Sequence, residues 1–188
     1  MHHKYSTRAI VLGRFPLAEA ASLLVLLTEH LGLIRVKAQG LRKGSSKLAH
    51  ALQTLSEADV MLIRGREGWG LAGAVLHYAH APKLSPALRT RAARVGELML
   101  RLVRGETPDP LLFTVYSAFI TALPNSTDER ADAAEVLTAL RMLFILGLDT
   151  EELNDAAGDY SDAALDMAYM DRTELIARVN RGILASGL

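Results

Sequence analysis

The residues best equipped for chemistry are basic and come in short clusters. Arg14 stands beside Phe15, Arg35 and Lys37 alternate along one segment, and Arg42, Lys43 and Lys47 fall within QGLRKGSSK. Arg64, Arg66 and Trp69 follow in RGREGWG, and Arg91 and Arg94 come later, in a segment with helical spacing. Cations spread over a strand face and several loops neutralise a polyanion backbone, and an aromatic ring among them offers a face for a base. Trp69 and Phe15, taken singly, are read as core residues. The grouped cations are harder to assign to packing, because several loops contribute them to one side of a small fold.

Other chemistries find less support. The loop GLRKGSSK lacks the G-x-x-x-x-G-K-[ST] spacing of a phosphate loop. The run GREGWG reads G-x-x-G-x-G with no helix after it, which makes a hairpin and not a dinucleotide site. Of the six histidines, His77 and His80 are three apart but sit at a strand end with no third ligand. A metal-dependent hydrolase built on them is therefore the weaker rival. Ser45 and Ser46 have no strand-turn-helix elbow. The acidic stretch Asp149 to Asp171 does not follow a calcium loop and reads as a solvated or internally paired face. The absence of cysteine removes disulfides, thiolate zinc sites and a cysteine nucleophile together. The expectation is a binding protein, with no catalytic residue, cofactor or metal.

The formal net charge of zero conceals a strong asymmetry. Residues 1–104 hold sixteen Lys or Arg against six Asp or Glu, whereas residues 105–188 hold five against fifteen. A basic half next to an acidic half points to a polyanion partner. The rival reading is a scaffold, in which the basic half docks on an acidic partner or on the chain's own acidic half. Half of the 188 residues are hydrophobic, enough for a packed core and too many for a disordered chain. No apolar run reaches the roughly 18 residues of a membrane helix, and the first ten residues lack the hydrophobic stretch of a signal peptide. A cytoplasmic, nucleoid-associated protein is expected.

These residues must be positioned by two kinds of structure. Short apolar strands are expected at Ala9–Leu12, Ser22–Thr28, Leu33–Ala38, Ala58–Ile63 and Trp69–Leu76, with turns at Glu29–Gly32 and around Gly65, Gly68 and Gly70. Ile34, Val36 and Ala38 share one face of the third strand and Arg35 and Lys37 the other. Five short strands in about eighty residues favour a closed barrel over a flat sheet with long bare edges. After Pro82 and Pro86 the period becomes helical. Leu88, Ala92, Val95, Met99 and Leu102 form one stripe, flanked by Arg91, Arg94 and Arg101. Further helices are expected over Leu111–Leu123, from the caps at Asn125–Asp128 to Gly147, and from Asp171 onward. The expected fold class is α+β, with a barrel over 1–80 and an all-α domain over 81–188.

The order of these features resembles the bacterial recombination mediator family RecO. The residues that carry the likeness are TRAIVL at 7–12, Glu19 before Leu23–Thr28, GLIRVKAQG at 32–40, RKGSSK at 42–47 and Leu52-Gln53. It continues more loosely through Gly96-Glu97-Leu98, Leu111-Leu112-Phe113 and RMLFILG at 141–147. The resemblance implies an N-terminal OB-fold followed by a helical domain. It also implies a non-enzymatic role in which the protein binds single- and double-stranded DNA, anneals complementary strands and assists recombinase loading. Implied partners are RecR and the acidic, aromatic-ended tail of single-strand-binding protein, with Arg141 as the residue meeting that tail. Many relatives carry four cysteines in a zinc-binding insertion that this chain lacks, and Gln39 replaces the basic residue common before Gly40. The chain is also shorter than usual after residue 150.

Overall fold

In the first third of the chain, apolar side chains alternate with polar ones, and that period builds a sheet. The computed structural model describes residues 3–17, 21–41, 47–106, 108–151, 153 and 158–188. Strands β1 (Lys4–Pro16), β2 (Ala21–Thr28), β3 (Gly32–Gln39), β4 (Ser56–Gly65) and β5 (Gly68–Ala79) close into a barrel in the order β1-β2-β3-β5-β4. All neighbours are antiparallel except β3 and β5, which run parallel and pair Val36 with Trp69 and Lys37 with Gly70. This five-stranded arrangement is the OB-fold, so the α+β class with an N-terminal OB-fold stands.

The strands are longer than the apolar runs alone indicate. β1 begins at Lys4 because it pairs with β4 from there, Lys4 opposite Ile63, and β5 continues to Ala79 alongside β4. Shifts of register at Val11/Gly13, Glu57/Ala58 and Met61/Leu62 bend the strands, which barrel closure requires. The core is filled by Val11, Leu24, Leu26, Ile34, Val36, Leu52, Val60 and Leu62, all buried. A short helix, α1 (Lys47–Ala51), precedes β4 and packs on β4 and β5. Gly68 adopts φ +111°, a conformation that lets the β4–β5 turn close and that a side chain resists.

The rest of the fold is helical: α2 (Pro86–Leu102), α3 (Pro110–Ala122), α4 (Asp128–Ile145), α5 (Asp162–Met170) and α6 (Arg172–Ala185). Two compact units result, Met1–Lys83 with Gly105–Phe113, and Leu84–Arg104 with Thr114–Leu188. Within the second, α2, α5 and α6 each pack on α4. Ser85, Thr127 and Ser161 cap three of the helices, each side-chain oxygen accepting from a backbone N–H of the first turn. Tyr116 is buried and donates its hydroxyl to Ala92 O at 2.9 Å, and burial raises its phenol well above the usual range. α5 lies inside the acidic stretch read from sequence as a solvated or paired face. Leu165 and Ala168 bury one side of it.

Candidate nucleic-acid interface

The alternation along β3 divides its side chains as the sequence indicates. Ile34, Val36 and Ala38 fill the core, and Arg35 and Lys37 are exposed. The parallel pairing of β3 with β5 sets Lys37 beside Gly70, at the base of the β4–β5 turn. Lys37 Nζ reaches Glu67 Oε2 on that turn at 3.0 Å, an exposed pair. Arg66 is exposed on the same turn, and among the described residues neither it nor Arg35 meets a carboxylate. Lys37, Arg66 and Glu67 rim a cleft of about 360 Å³ whose walls include Ile63, Trp69 and Leu71.

Trp69 belongs to the buried core of the barrel. It is 7% exposed, which makes it a packed residue and not an open stacking face. The Tyr5 ring meets it edge-on at 5.1 Å, and the Arg64 guanidinium lies 4.8 Å from its ring centroid. A cation over an indole face is attracted by the ring's quadrupole. Arg64 Nη1 also donates to both carboxylate oxygens of Glu106, at 2.8 and 2.9 Å. Phe15, read from sequence as core, is instead half exposed.

Arg14 is partly buried and donates to Leu41 O at 2.5 Å, so it ties β1 to the chain after β3. Arg42 and Lys43 lie outside the described residues. Lys47 begins α1, but its side chain is not among those described. Of the two histidines, His77 is exposed while His80 is buried with Nε2 3.6 Å from Glu57 Oε2, so they do not converge. No group of three metal-ligating side chains occurs among the described residues.

The arginines of the helical unit are engaged differently. Arg91 Nη1 meets Glu135 at 2.7 Å and Asp132 at 3.2 Å, and Arg94 makes two bonds to Glu135, at 2.6 and 2.7 Å. The Glu135 hydrogen bond holds the Arg94 guanidinium above its usual value. Arg172 also bonds Asp132, and this pairing, followed by Arg91, holds the Asp132 carboxyl below its usual range. Arg130 chelates Asp166 and meets Asp162, while Arg178 and Arg181 take Asp149 and Glu151. Arg141 is buried, donates to Asp159 O at 2.9 Å and stacks 4.6 Å from the Tyr160 ring centroid. The acidic stretch is thus, to a large extent, an internally paired face.

The barrel has a match among known families. A family model described as "Recombination protein O N terminal" matches residues 1–73, the stretch that builds the five strands up to mid-β5. The DNA repair protein RecO of Polaromonas naphthalenivorans (strain CJ2) is 29% identical over 140 residues, covering 74% of this chain and 56% of the relative. This chain belongs to the RecO family. The RecO of Acaryochloris marina (strain MBIC 11017) is 30% identical over 150 residues, 79% of this chain and 51% of the relative. The RecO of Haemophilus influenzae (strain PittGG) is 28% identical over 177 residues, 90% of this chain and 71% of the relative. The chain spans about half the length of the first of these curated relatives. No described helix is long and apolar enough to cross a membrane.

Three contributors to this RecO barrel face escape the sequence reading. Tyr5 has a usable signal, since it shares the inward period of Thr7, Ala9 and Val11. Glu67 and Glu106 have none, because their importance lies in which cation each meets.

Proposed function

We propose that the chain binds DNA through the exposed cations of its barrel, without reading sequence, and works as a non-catalytic recombination mediator. In this role it holds single and double strands in the cytoplasm, brings complementary strands together and assists recombinase loading onto strands covered by single-strand-binding protein. The observation that carries the reading is the contrast in pairing. Arg35 and Arg66 are exposed without a carboxylate among the described residues, and Lys37 and Arg64 meet only exposed glutamates that a phosphate can replace. Releasing counterions from the strand then supplies the affinity. Arg42, Lys43 and Lys47 extend this set along the chain, and Arg14 contributes mainly to holding the barrel together.

The same contrast weighs against a scaffold closed on its own acidic half, since Asp149, Glu151, Asp162 and Asp166 are met by arginines of their own unit. It also moves Arg91 and Arg94 out of the DNA-binding set. RecR and the tail of single-strand-binding protein remain the partners to test. A tail that reached Arg141 would have to displace Tyr160 from its guanidinium.

Fluorescence anisotropy with a labelled single strand, followed by addition of its complement, tests this function. Micromolar or tighter binding at low salt, with faster annealing than the free strands show, is the expected result. Absence of binding at low salt would overturn it.

A further inference from the structure

We propose that the outer face of α5 is a docking surface for a basic, amphipathic segment of a partner protein, a role separate from DNA binding by the barrel. A helix that packs on its neighbours by one side alone carries polar residues on the other. α5 does not. Leu165 and Ala168 are buried, while Ala163, Met167 and Met170, on the opposite side at about 100° per residue, are exposed. Met167 is 65% exposed and Met170 85%. Methionine is flexible and polarizable, and surfaces that take apolar partners of varied shape are rich in it.

The charge around this face selects the occupant. Tyr169, on the flank of α5, lines a cleft of about 340 Å³ with Arg91, Asp128, Glu129, Asp132 and Arg172. Both arginines are taken up by Asp132. Asp128 and Glu129, and Asp171 and Glu174 just after α5, meet no cation among the described residues. Arg130, which reaches α5, is held there by Asp162 and Asp166. The apolar face is thus bordered by carboxylates that lack counter-ions.

Such a border repels nucleic-acid phosphates and anionic lipid headgroups. It also disfavours a two-fold pairing of α5 with its own copy, which would set identical carboxylates against each other. A helix with lysines or arginines beside an apolar stripe matches both features. The nine residues of α5 give a face roughly 14 Å long at 1.5 Å per residue. That is a small contact, suited to transient binding.

The test uses the full chain with isotope-labelled methionine methyl groups, and a short peptide of leucine and lysine in helical spacing. The methionines supply their own controls, since Met99 and Met142 are buried and Met61 is exposed on the barrel. Micromolar peptide should shift the Met167 and Met170 signals and leave Met61 in place. Met167→Gln with Met170→Gln should weaken binding about tenfold at an unchanged melting temperature. Asp171→Asn with Glu174→Gln should weaken it about threefold, and a peptide with glutamate for lysine should not bind. Equal binding of the glutamate peptide, no shift at Met167 and Met170, or an equal shift at Met61 would overturn the proposal. So would shifts at Met167 and Met170 on concentrating the protein alone, because a second copy would then cover the face. Each of these failures would leave the proposed DNA binding by the barrel untouched.

Discussion

Among the described residues, Arg35 and Arg66 in the barrel stand exposed without a carboxylate, and Lys37 and Arg64 each meet one exposed glutamate. In the helical unit Arg91, Arg94, Arg130, Arg172, Arg178 and Arg181 are each held by Asp or Glu, several of them by two. The same side chain thus serves two ends. Where acidic partners are supplied across the helix interfaces, arginine joins helices. Where they are sparse, it stays available to an outside anion. Arg8 is the barrel's exception, since it lies within 3.7 Å of Glu57 and 3.5 Å of Asp59. A net charge counted along the chain cannot distinguish these uses, because it does not show which residues meet.

The comparison breaks most directly at the exposed set. Replacing Arg35, Lys37 and Arg66 together by glutamine should weaken single-strand binding on the order of a hundredfold at low salt, with little change in melting temperature. Replacing Arg91 and Arg94 should do the reverse, lowering the melting temperature and moving affinity by less than twofold. Equal losses of affinity in the two sets would remove the distinction.

Next in size is Arg141→Ala, which leaves the Asp159 carbonyl and the Tyr160 ring without their buried partner. Urea unfolding should report a loss of about 2 kcal/mol, with DNA affinity of the folded protein retained. Gly182→Ala should cost about 1–2 kcal/mol by the same measurement, because the new methyl would sit 2.9 Å from Leu143 Cδ1 across the α4–α6 contact.

Acid should loosen the helical unit first. Asp132 and Asp166 have folded-state pKa values below their usual range, through Arg172 and Arg130 respectively. Their contribution is complete above the unfolded carboxylate value near 3.9 and is lost as pH falls through the lower folded values. The melting temperature should fall in that window, and Asp132→Asn should flatten the dependence. The smallest expected effect belongs to Glu106→Gln, which frees Arg64 from an exposed pair. DNA binding should tighten about two- to fivefold, and unchanged or weaker binding would show that Arg64 does not meet the strand.

Much of the frame is legible in the sequence, for local reasons. The two-residue period of β3 separates Arg35 and Lys37 from the core, and the stripe Ala92, Val95, Met99 gives α2 its buried side. α5 is not legible, because only Leu165 and Ala168 of its nine residues are buried and carboxylates surround them. The pairing of Arg91 and Arg94 with Glu135 spans more than forty residues and leaves no local mark. Helical spacing groups those arginines correctly on one flank, yet the flank faces α4. The aromatic stack on Trp69 is half legible: Tyr5 follows the strand period, while Glu106, which holds Arg64, comes from a later segment.

The most direct measurement is single-strand affinity across a salt series for the unaltered chain and for the Arg91, Arg94 double variant. At roughly 0.7 per neutralised phosphate, Arg35, Lys37, Arg64 and Arg66 give a log–log slope near −3, and adding Arg42, Lys43 and Lys47 takes it to about −5. Both proteins should show the same slope within that range. A slope near zero, or one that becomes shallower when Arg91 and Arg94 are removed, would contradict a barrel that holds the strand through its exposed cations.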